Sequence, residues 1–293
     1  MTSTQQPLRA KDYATETAAW WCPGCGDYGV LASLKSALAE LAIPPDQIGF
    51  VAGIGCSGKI AGYLHSYAFH GAHGRALPVA TGLKLANRGL TVIAAGGDGD
   101  GYAIGAGHFV HTVRRNPDLT YIVMDNQTYG LTKGQSSPTS VGGYVTSTSP
   151  GGNPDTPLNG LALALAAGAT FLARGFAGQP KALMELMKAA IAHRGFAIVE
   201  VMSPCVTFNK RTTYAWFKDN VYDLAARDDY APHDRRAAFE VLTREGAIPL
   251  GIIYREERPT FEERCNLAAT PIAQLDLRSS SRDYAAIAAA YGA

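Results

Sequence analysis

The sequence predicts an α/β fold: a parallel sheet with helices on both faces, followed by an extended C-terminal tail. Three observations point there. Short apolar, β-branched runs alternate with helix-length apolar patterns. Unusual glycine-rich segments sit just after the strands. Past residue 203 the alternation gives way to irregular spacing, recurrent proline and concentrated acid, with 13 of the 25 acidic residues at or beyond Asp219. In chain order, helical spacing covers Val30–Leu41 and a strand covers Ile48–Ile54. The helix Leu77–Asn87 leads to the strand Leu90–Ala95, and the helix Ile104–Arg115 to the strand Thr120–Met124. The helix Leu158–Ala167 leads to the strand Thr170–Ala173, and the helix Pro180–His193 to the strand Ala197–Val201. We place the α/β domain over residues 1–208 and an extension that wraps the domain or a partner over 209–293. The extension holds one short apolar stretch, Ile248–Tyr254.

At 293 residues the chain can bury a substantial core. A net charge of +1 gives no electrostatic reason to expect nucleic acid or an anionic membrane. No apolar run approaches the ~18 residues of a membrane span, and the first twenty residues lack the apolar stretch of a secretory leader. A cytoplasmic protein is expected. Its five cysteines then suggest metal binding or catalysis more than disulfides.

Ligands of open α/β sheets bind at the carboxyl ends of the strands. Four odd segments fall at such ends: GIGCSG (53–58), GGDGDG (96–101), DNQTYG (125–130) and SPC (203–205). They imply one site. GIGCSG matches the G-x-G-x-x-G dinucleotide fingerprint, which also needs an acid ~20 residues later for the ribose. No Asp or Glu occurs between Cys56 and Asp98, so the nicotinamide reading fails. In GGDGDGYAIG, a strand ends in the glycine-flanked acid Asp98, and the next strand ends in Asp125-Asn126. A carboxylate, an amide oxygen and a backbone carbonyl are hard ligands suited to Mg²⁺ shared with phosphate. The glycines let backbone N–H groups approach a diphosphate at the start of a helix. An EF-hand is excluded, because Tyr102 and Phe109 occupy positions that it reserves for acids.

CPGC (22–25) admits three readings. A redox dithiol should follow a strand, and nothing strand-like precedes Trp21. Structural zinc needs four closed ligands, usually as two close pairs, and no second such pair is present. A four-iron cluster takes four thiolates that can be scattered. Cys22, Cys25, Cys56 and Cys205 each lie beside glycine or proline in a loop predicted at the same edge. Burial as small hydrophobes is the alternative for Cys56 and Cys205. Cys265, in the charged tail, is read as a structural or free thiol. Of the seven histidines, His65, His70 and His73 cluster in HSYAFHGAHGR, with no acid nearby and spacings that do not share a helix face. His108 and His111 read as packing or surface residues. His193, at a helix end, reads as a cation favoured by the helix dipole.

GDG followed one strand–helix–strand unit later by Asn resembles the diphosphate–magnesium motif of thiamine-diphosphate enzymes. The longer string GDGDGYAIGAGHFVHTVRRNPDLTYIVMDNQTYGLTKGQSSPTS closely resembles the β subunit of the 2-oxoacid:ferredoxin oxidoreductases. So do WCPGCGDYGVL, GIGCSGK, HGRALPVATGLKLAN and SPCVTFN. The likeness spans Trp21 to Asn209 and continues more loosely through IPLGIIYREERPTFEE.

The resemblance implies the thiamine-diphosphate-binding fold, with Mg²⁺ held by the side chains of Asp98 and Asn126 and the carbonyl of Thr128. It implies a cofactor cradle of Gly55, Ser57, Gly58, Asp98, Gly99, Asp100, Asn126, Thr128, Gly130 and Leu131. It also assigns one [4Fe–4S] cluster to Cys22, Cys25, Cys56 and Cys205. Lys59 and Arg75 would offset the cluster's negative charge. The expected partners are an α (or fused αγ) subunit, ferredoxin, a 2-oxoacid and coenzyme A. Glu16 and Glu40 are the only glutamates before residue 185, and neither lies in a site-like loop. The carboxylate that thiamine needs at its pyrimidine ring therefore falls to the partner. Lys133, where relatives acting on pyruvate tend to have glycine, could pair with the distal carboxylate of 2-oxoglutarate. His73 is a candidate for proton transfer or substrate binding. The alternatives are the same chemistry on pyruvate or a branched-chain 2-oxoacid, a cluster-free thiamine-diphosphate carboligase or decarboxylase, and an electron-transfer subunit without thiamine.

Overall fold

The computed structural model describes residues 7–267, together with Thr270, Pro271, Gln274 and Ala289. The first six residues and most of the tail beyond 267 lie outside the described residues, and so do the leader and tail readings that fall on them. Eight strands form one sheet: β1 (Ile48–Ala52), β2 (Tyr67–His70), β3 (Thr91–Gly97), β4 (Leu119–Asp125), β5 (Phe171–Phe176), β6 (Phe196–Met202), β7 (Val221–Asp223) and β8 (Ile248–Arg255). Their order is β2-β1-β3-β4-β6-β5-β8-β7. The first six neighbours pair in parallel, and β8 joins β5 antiparallel.

Helices cover both faces, as expected. On one face α1 (Gly26–Glu40) and α5 (Pro180–Ala192) bury Leu34, Leu38, Leu183 and Met187 against Phe50, Ile93, Ile122 and Val199. On the other lie α2 (Ala76–Ala86), α3 (Ala106–Arg115), α4 (Gly160–Ala166) and α7 (Arg235–Thr243). They bury Leu77, Phe109, Leu161 and Leu242 against Val92, Tyr121, Phe196 and Ile198. Adjacent residues such as Val92 and Ile93 enter opposite cores. This two-sided burial explains why the strands read as continuous apolar runs.

All five predicted strands and all five predicted helices are present. β2 was not predicted: it is a short edge strand with four exposed residues and no buried stripe to reveal it. The segment after 208 is more regular than the irregular spacing suggested. It carries α6 (Tyr214–Asn220), β7, α7, β8 and α8 (Phe261–Arg264), and β8 grows from the apolar stretch at 248–254. Four β8 residues pair with β5, so this stretch is built into the sheet.

Candidate active site

The strand order makes β1, β3, β4 and β6 consecutive neighbours. All four unusual segments therefore emerge side by side. At one end of this row are the cysteines. The CPGC turn closes with the Cys25 amide donating to Cys22 O at 2.9 Å, helped by Gly24 at φ 83°. Gly26 donates its amide to Pro204 O at 3.1 Å, and any Cβ there would strike the Ser203–Pro204 backbone. Trp21 donates Nε1–H to Cys56 O at 2.8 Å. The three cysteine loops are thus laced together by one backbone and one indole hydrogen bond. A Cβ on Gly130 would lie 3.5 Å from both the Cys56 and the Cys205 sulfur, so that residue's lack of a side chain keeps the space between them open.

Burial raises the Cys25 thiol, and Asp27, Cys56 and Cys205 raise it further. The Cys56 thiol is pushed up to about 12, by burial and then by Asp27, with Cys205 and Cys22 adding to it. As bare thiols these groups are protonated, and a positive cluster core is what would ionise them. Cys22 is exposed while Cys205 is buried, so the group runs from surface to interior. Among the described residues, no three His, Cys, Asp or Glu side chains are arranged to hold a metal ion. Thiolates of a four-iron cube each bind a different iron and surround a volume, and the Mg²⁺ set has only one carboxylate.

A cavity of about 290 Å³ adjoins the cysteines, lined by Ile54 through Ser57, His73, Gly97 through Asp100, Asn126 and Thr128 through Thr132. Every expected cradle residue except Gly58 is in this lining; Gly58 packs behind it, against Gly53 and His70. Cys56 belongs to the cavity and to the thiol group at once. Cavities of about 230, 420 and 470 Å³ elsewhere contain none of the cysteines or cradle residues.

After Asp98 the chain makes a π-helical turn, Gly99–Ile104, before α3. Such turns often mark functional sites. Gly99 is required, because a Cβ would enter the Tyr129 ring. The Asp98 carboxylate is buried, and its Oδ2 accepts from Ser137 and, at 2.6 Å, from Thr139. Thr139 Oγ1 also lies 2.7 Å from Asp125 Oδ1. A single hydroxyl hydrogen cannot be donated in full to both carboxylates at once. Burial, only partly offset by the hydroxyls, pushes Asp98 up to about 6. Burial and the neighbouring Asp98 raise Asp125 well above the usual carboxylate range. Asn126 Oδ1 accepts from Thr128 N at 3.1 Å, which sets the turn that brings both residues into the lining.

Ser137, Thr139 and Asp125 were not singled out from the sequence. Asp125 stood in the flagged segment DNQTYG without a role, and only the run QSSPTS, as part of a longer likeness, could have flagged Ser137 and Thr139. Asp100 lines the cavity, but its carboxylate turns toward backbone amides and His73. Lys133 is exposed at the cavity's lip, outside the lining, at φ 80°. A glycine would be relaxed in that conformation. Lys59 stacks over Trp20, 5.1 Å from the ring centroid, and Arg75 Nη1 donates to Gly74 O and Ile104 O. His193 caps α5 as expected, but burial lowers its pKa and its Nε2 lies 3.0 Å from Thr170 Oγ1. It therefore sits neutral rather than as the predicted cation. Cys265 closes α8 as its C-cap, near the C-terminal end of α3 and remote from the other four.

Fold and cavity together define a thiamine-diphosphate-binding domain, and residues 53–201 match the family "Thiamine pyrophosphate enzyme, C-terminal TPP binding domain". Residues 205–269 match the family formed by the C-terminal part of the pyruvate ferredoxin oxidoreductase beta subunit. The chain is 44% identical to the 2-oxoacid:ferredoxin oxidoreductase 2 subunit β of Aeropyrum pernix, covering 86% of this chain and 85% of the relative. It is 42% identical to the 2-oxoglutarate synthase subunit KorB of Methanocaldococcus jannaschii, over 83% of this chain and 90% of the relative. A solved structure of 2-oxoglutarate:ferredoxin oxidoreductase from Magnetococcus marinus superposes with a TM-score of 0.89 at 40% identity, covering 98% and 97% of the two chains. The chain belongs to the 2-oxoacid:ferredoxin oxidoreductase β subunits, thiamine-diphosphate-dependent oxidoreductases that work with an α partner. Among the described residues no helix is long and apolar enough to cross a membrane.

Proposed function

We propose that this chain and an α (or fused αγ) subunit oxidatively decarboxylate 2-oxoglutarate with coenzyme A. The products are the acyl-coenzyme A and CO₂, with two electrons leaving singly through a [4Fe–4S] cluster to ferredoxin in the cytoplasm. One observation carries the reading: Cys56 lines the cavity that also contains Asp98 and Asn126. A centre that takes electrons and a site for a metal-bound diphosphate are thus in contact. Bound thiamine diphosphate supplies the carbon that adds to the keto group and holds the electrons released with CO₂.

This chain's residues have separable tasks. Asp98, Asn126 and the Thr128 carbonyl hold Mg²⁺, and the cation relieves the charge that burial disfavours on Asp98. Ser137 and Thr139 aim the carboxylate. Cys22, Cys25, Cys56 and Cys205 hold the cluster. Lys133 meets the distal carboxylate of the substrate, and His73 presents its ring to the cavity. The cavity's two carboxylates are both engaged, so the acid for the pyrimidine ring comes from the partner. The Magnetococcus relative was solved with 2-oxoglutarate, coenzyme A and succinyl-CoA bound, which favours that substrate.

The test is co-expression with the α-type partner, anaerobic purification, and dye reduction with a panel of 2-oxoacids and coenzyme A. A brown, iron-containing complex most active on 2-oxoglutarate is expected. A colourless, iron-free enzyme that decarboxylates without reducing dye would reject it.

A further inference from the structure

We propose that Asp100 is a positioning residue that holds His73 with its proton on Nδ1, leaving Nε2 as a bare acceptor for the occupant of the cavity. This deepens the reading above and rests on that cavity being the cofactor and substrate site.

The two oxygens of the Asp100 carboxylate are unequally engaged. Asp100 Oδ1 takes the backbone amides of Ile54 at 2.9 Å and Gly74 at 2.8 Å, and lies 3.0 Å from His73 Nδ1. Its Oδ2 is buried with no hydrogen-bond partner among the described residues. A buried acceptor left unmet is destabilising, so an arrangement that keeps one calls for a compensating role. The carboxylate also has nowhere else to go. A Cβ on Gly53 would overlap it, and a Cβ on Gly96 would come within 2.8 Å of Oδ2. Asp100 thus fills the side-chain space of Gly53, past the end of β1, and shares that of Gly96, in β3, with the Tyr121 hydroxyl. The slot fixes the orientation of Oδ1.

Since Oδ1 faces only donors, the nearby ring nitrogen is assigned as a donor too. That sets the tautomer, because a neutral imidazole has one N–H. A second contact limits the ring, which sits edge-on to Tyr129 with centroids 6.2 Å apart; the Tyr129 hydroxyl donates to Gly99 O at 3.2 Å. His73 is partly open and lines the cavity, so the unprotonated Nε2 is the ring atom left for a ligand. The neutral ring in water prefers the opposite tautomer, with hydrogen on Nε2. Asp100 therefore reverses an intrinsic preference.

The alternative is that Asp100 only staples the 53–54 and 73–74 segments. Two measurements on the full chain in complex with its partner separate the readings. In ¹⁵N-histidine-labelled complex, with His73 assigned from the signal lost in His73→Gln, the unmutated protein should show protonated Nδ1 and bare Nε2. Asp100→Asn, whose amide oxygen can still accept the two backbone amides, should move His73 toward the Nε2–H form. Kinetically, Asp100→Asn should lower kcat about 10- to 100-fold with KM for the 2-oxoacid changed less than about threefold. In the His73→Gln background the same change should cost less than about twofold. Equal losses in both backgrounds would overturn the proposal in favour of a staple. So would an Nε2–H tautomer in the unmutated protein, a result that holds even if Asp100→Asn fails to fold. If the unmutated complex turned over no 2-oxoacid, the functional reading would fall and the spectrum alone would decide this one.

Discussion

At the amino ends of the strands, Lys84 Nζ donates to the carbonyls of Arg88 and Leu90 at 3.1 and 3.0 Å and pairs with Asp118 Oδ2 at 2.8 Å. The Asp118 amide in turn donates to Glu262 at 3.1 Å. At the carboxyl ends, Asp27, Asp98 and Asp125 are buried with hydroxyl and amide partners, and none is in an ion pair among the described residues. Burial raises all three. The first edge gives its buried lysine a carboxylate from within the chain, while the second buries three carboxyls with no ion-pair partner among the described residues. An added cation such as Mg²⁺ would balance charge at this edge.

The sharpest way to break this comparison is mutation at both edges. Asp98→Ala should abolish magnesium-dependent binding of thiamine diphosphate and lower turnover by about a thousandfold or more. It should leave the melting temperature of the ligand-free chain unchanged or higher, because it removes a carboxyl that burial disfavours. Cys56→Ala and Cys205→Ala should remove the cluster's visible absorption and dye reduction together. Asp118→Ala should do the reverse. Deprived of its carboxylate, buried Lys84 costs about 1–2 kcal/mol, discounted for the partial exposure of Asp118. That is several degrees of melting temperature, with kcat/KM unchanged. Similar profiles for the two aspartates would dissolve the contrast.

Titration sharpens it further. Asp27 and Asp98 are each raised from 3.8 to about 6. Between these values the folded state binds more protons than the unfolded, so stability must fall as pH rises. The loss is about 1.4 kcal/mol per pH unit for each group at most, about 3 kcal/mol each across the window. Denaturant melts of the cofactor-free chain from pH 4 to 6.5 should show the decline. Magnesium and thiamine diphosphate should flatten the share due to Asp98 and leave that of Asp27. The smallest expected effect is at Lys133, whose left-handed backbone costs about 1 kcal/mol in a non-glycine residue. Lys133→Gly should stabilise by up to that amount and raise the relative rate on pyruvate. An unchanged preference would remove Lys133 from substrate selection.

Much of this was legible in the chain itself. Two-sided burial makes β1, β3, β4, β5 and β6 continuous apolar runs, and glycine clusters mark their ends. β2 was invisible because its side chains are exposed, and β7 because three residues give no periodicity. At the site, Cys56, Cys205, Asp98 and Asn126 stood out by residue type at strand ends, and Cys22 and Cys25 by their C-x-x-C spacing ahead of α1. The Thr139 bridge and the Asp100 clamp did not, since they join residues 14 to 46 positions apart in irregular loops. Nothing local distinguishes a hydroxyl beside a carboxylate from one in water.

Periodicity is a property of neighbours along the chain, and it determined the alternating strands and helices and the loops that carry the reactive groups. Strand order depends on where each crossover returns, which no local pattern encodes. β5 precedes β6 in sequence yet lies outside it, so β6 pairs with β4. Had β5 taken that place, Cys205 would stand a full strand farther from Cys56. Only the tertiary packing set the thiols beside the carboxylates.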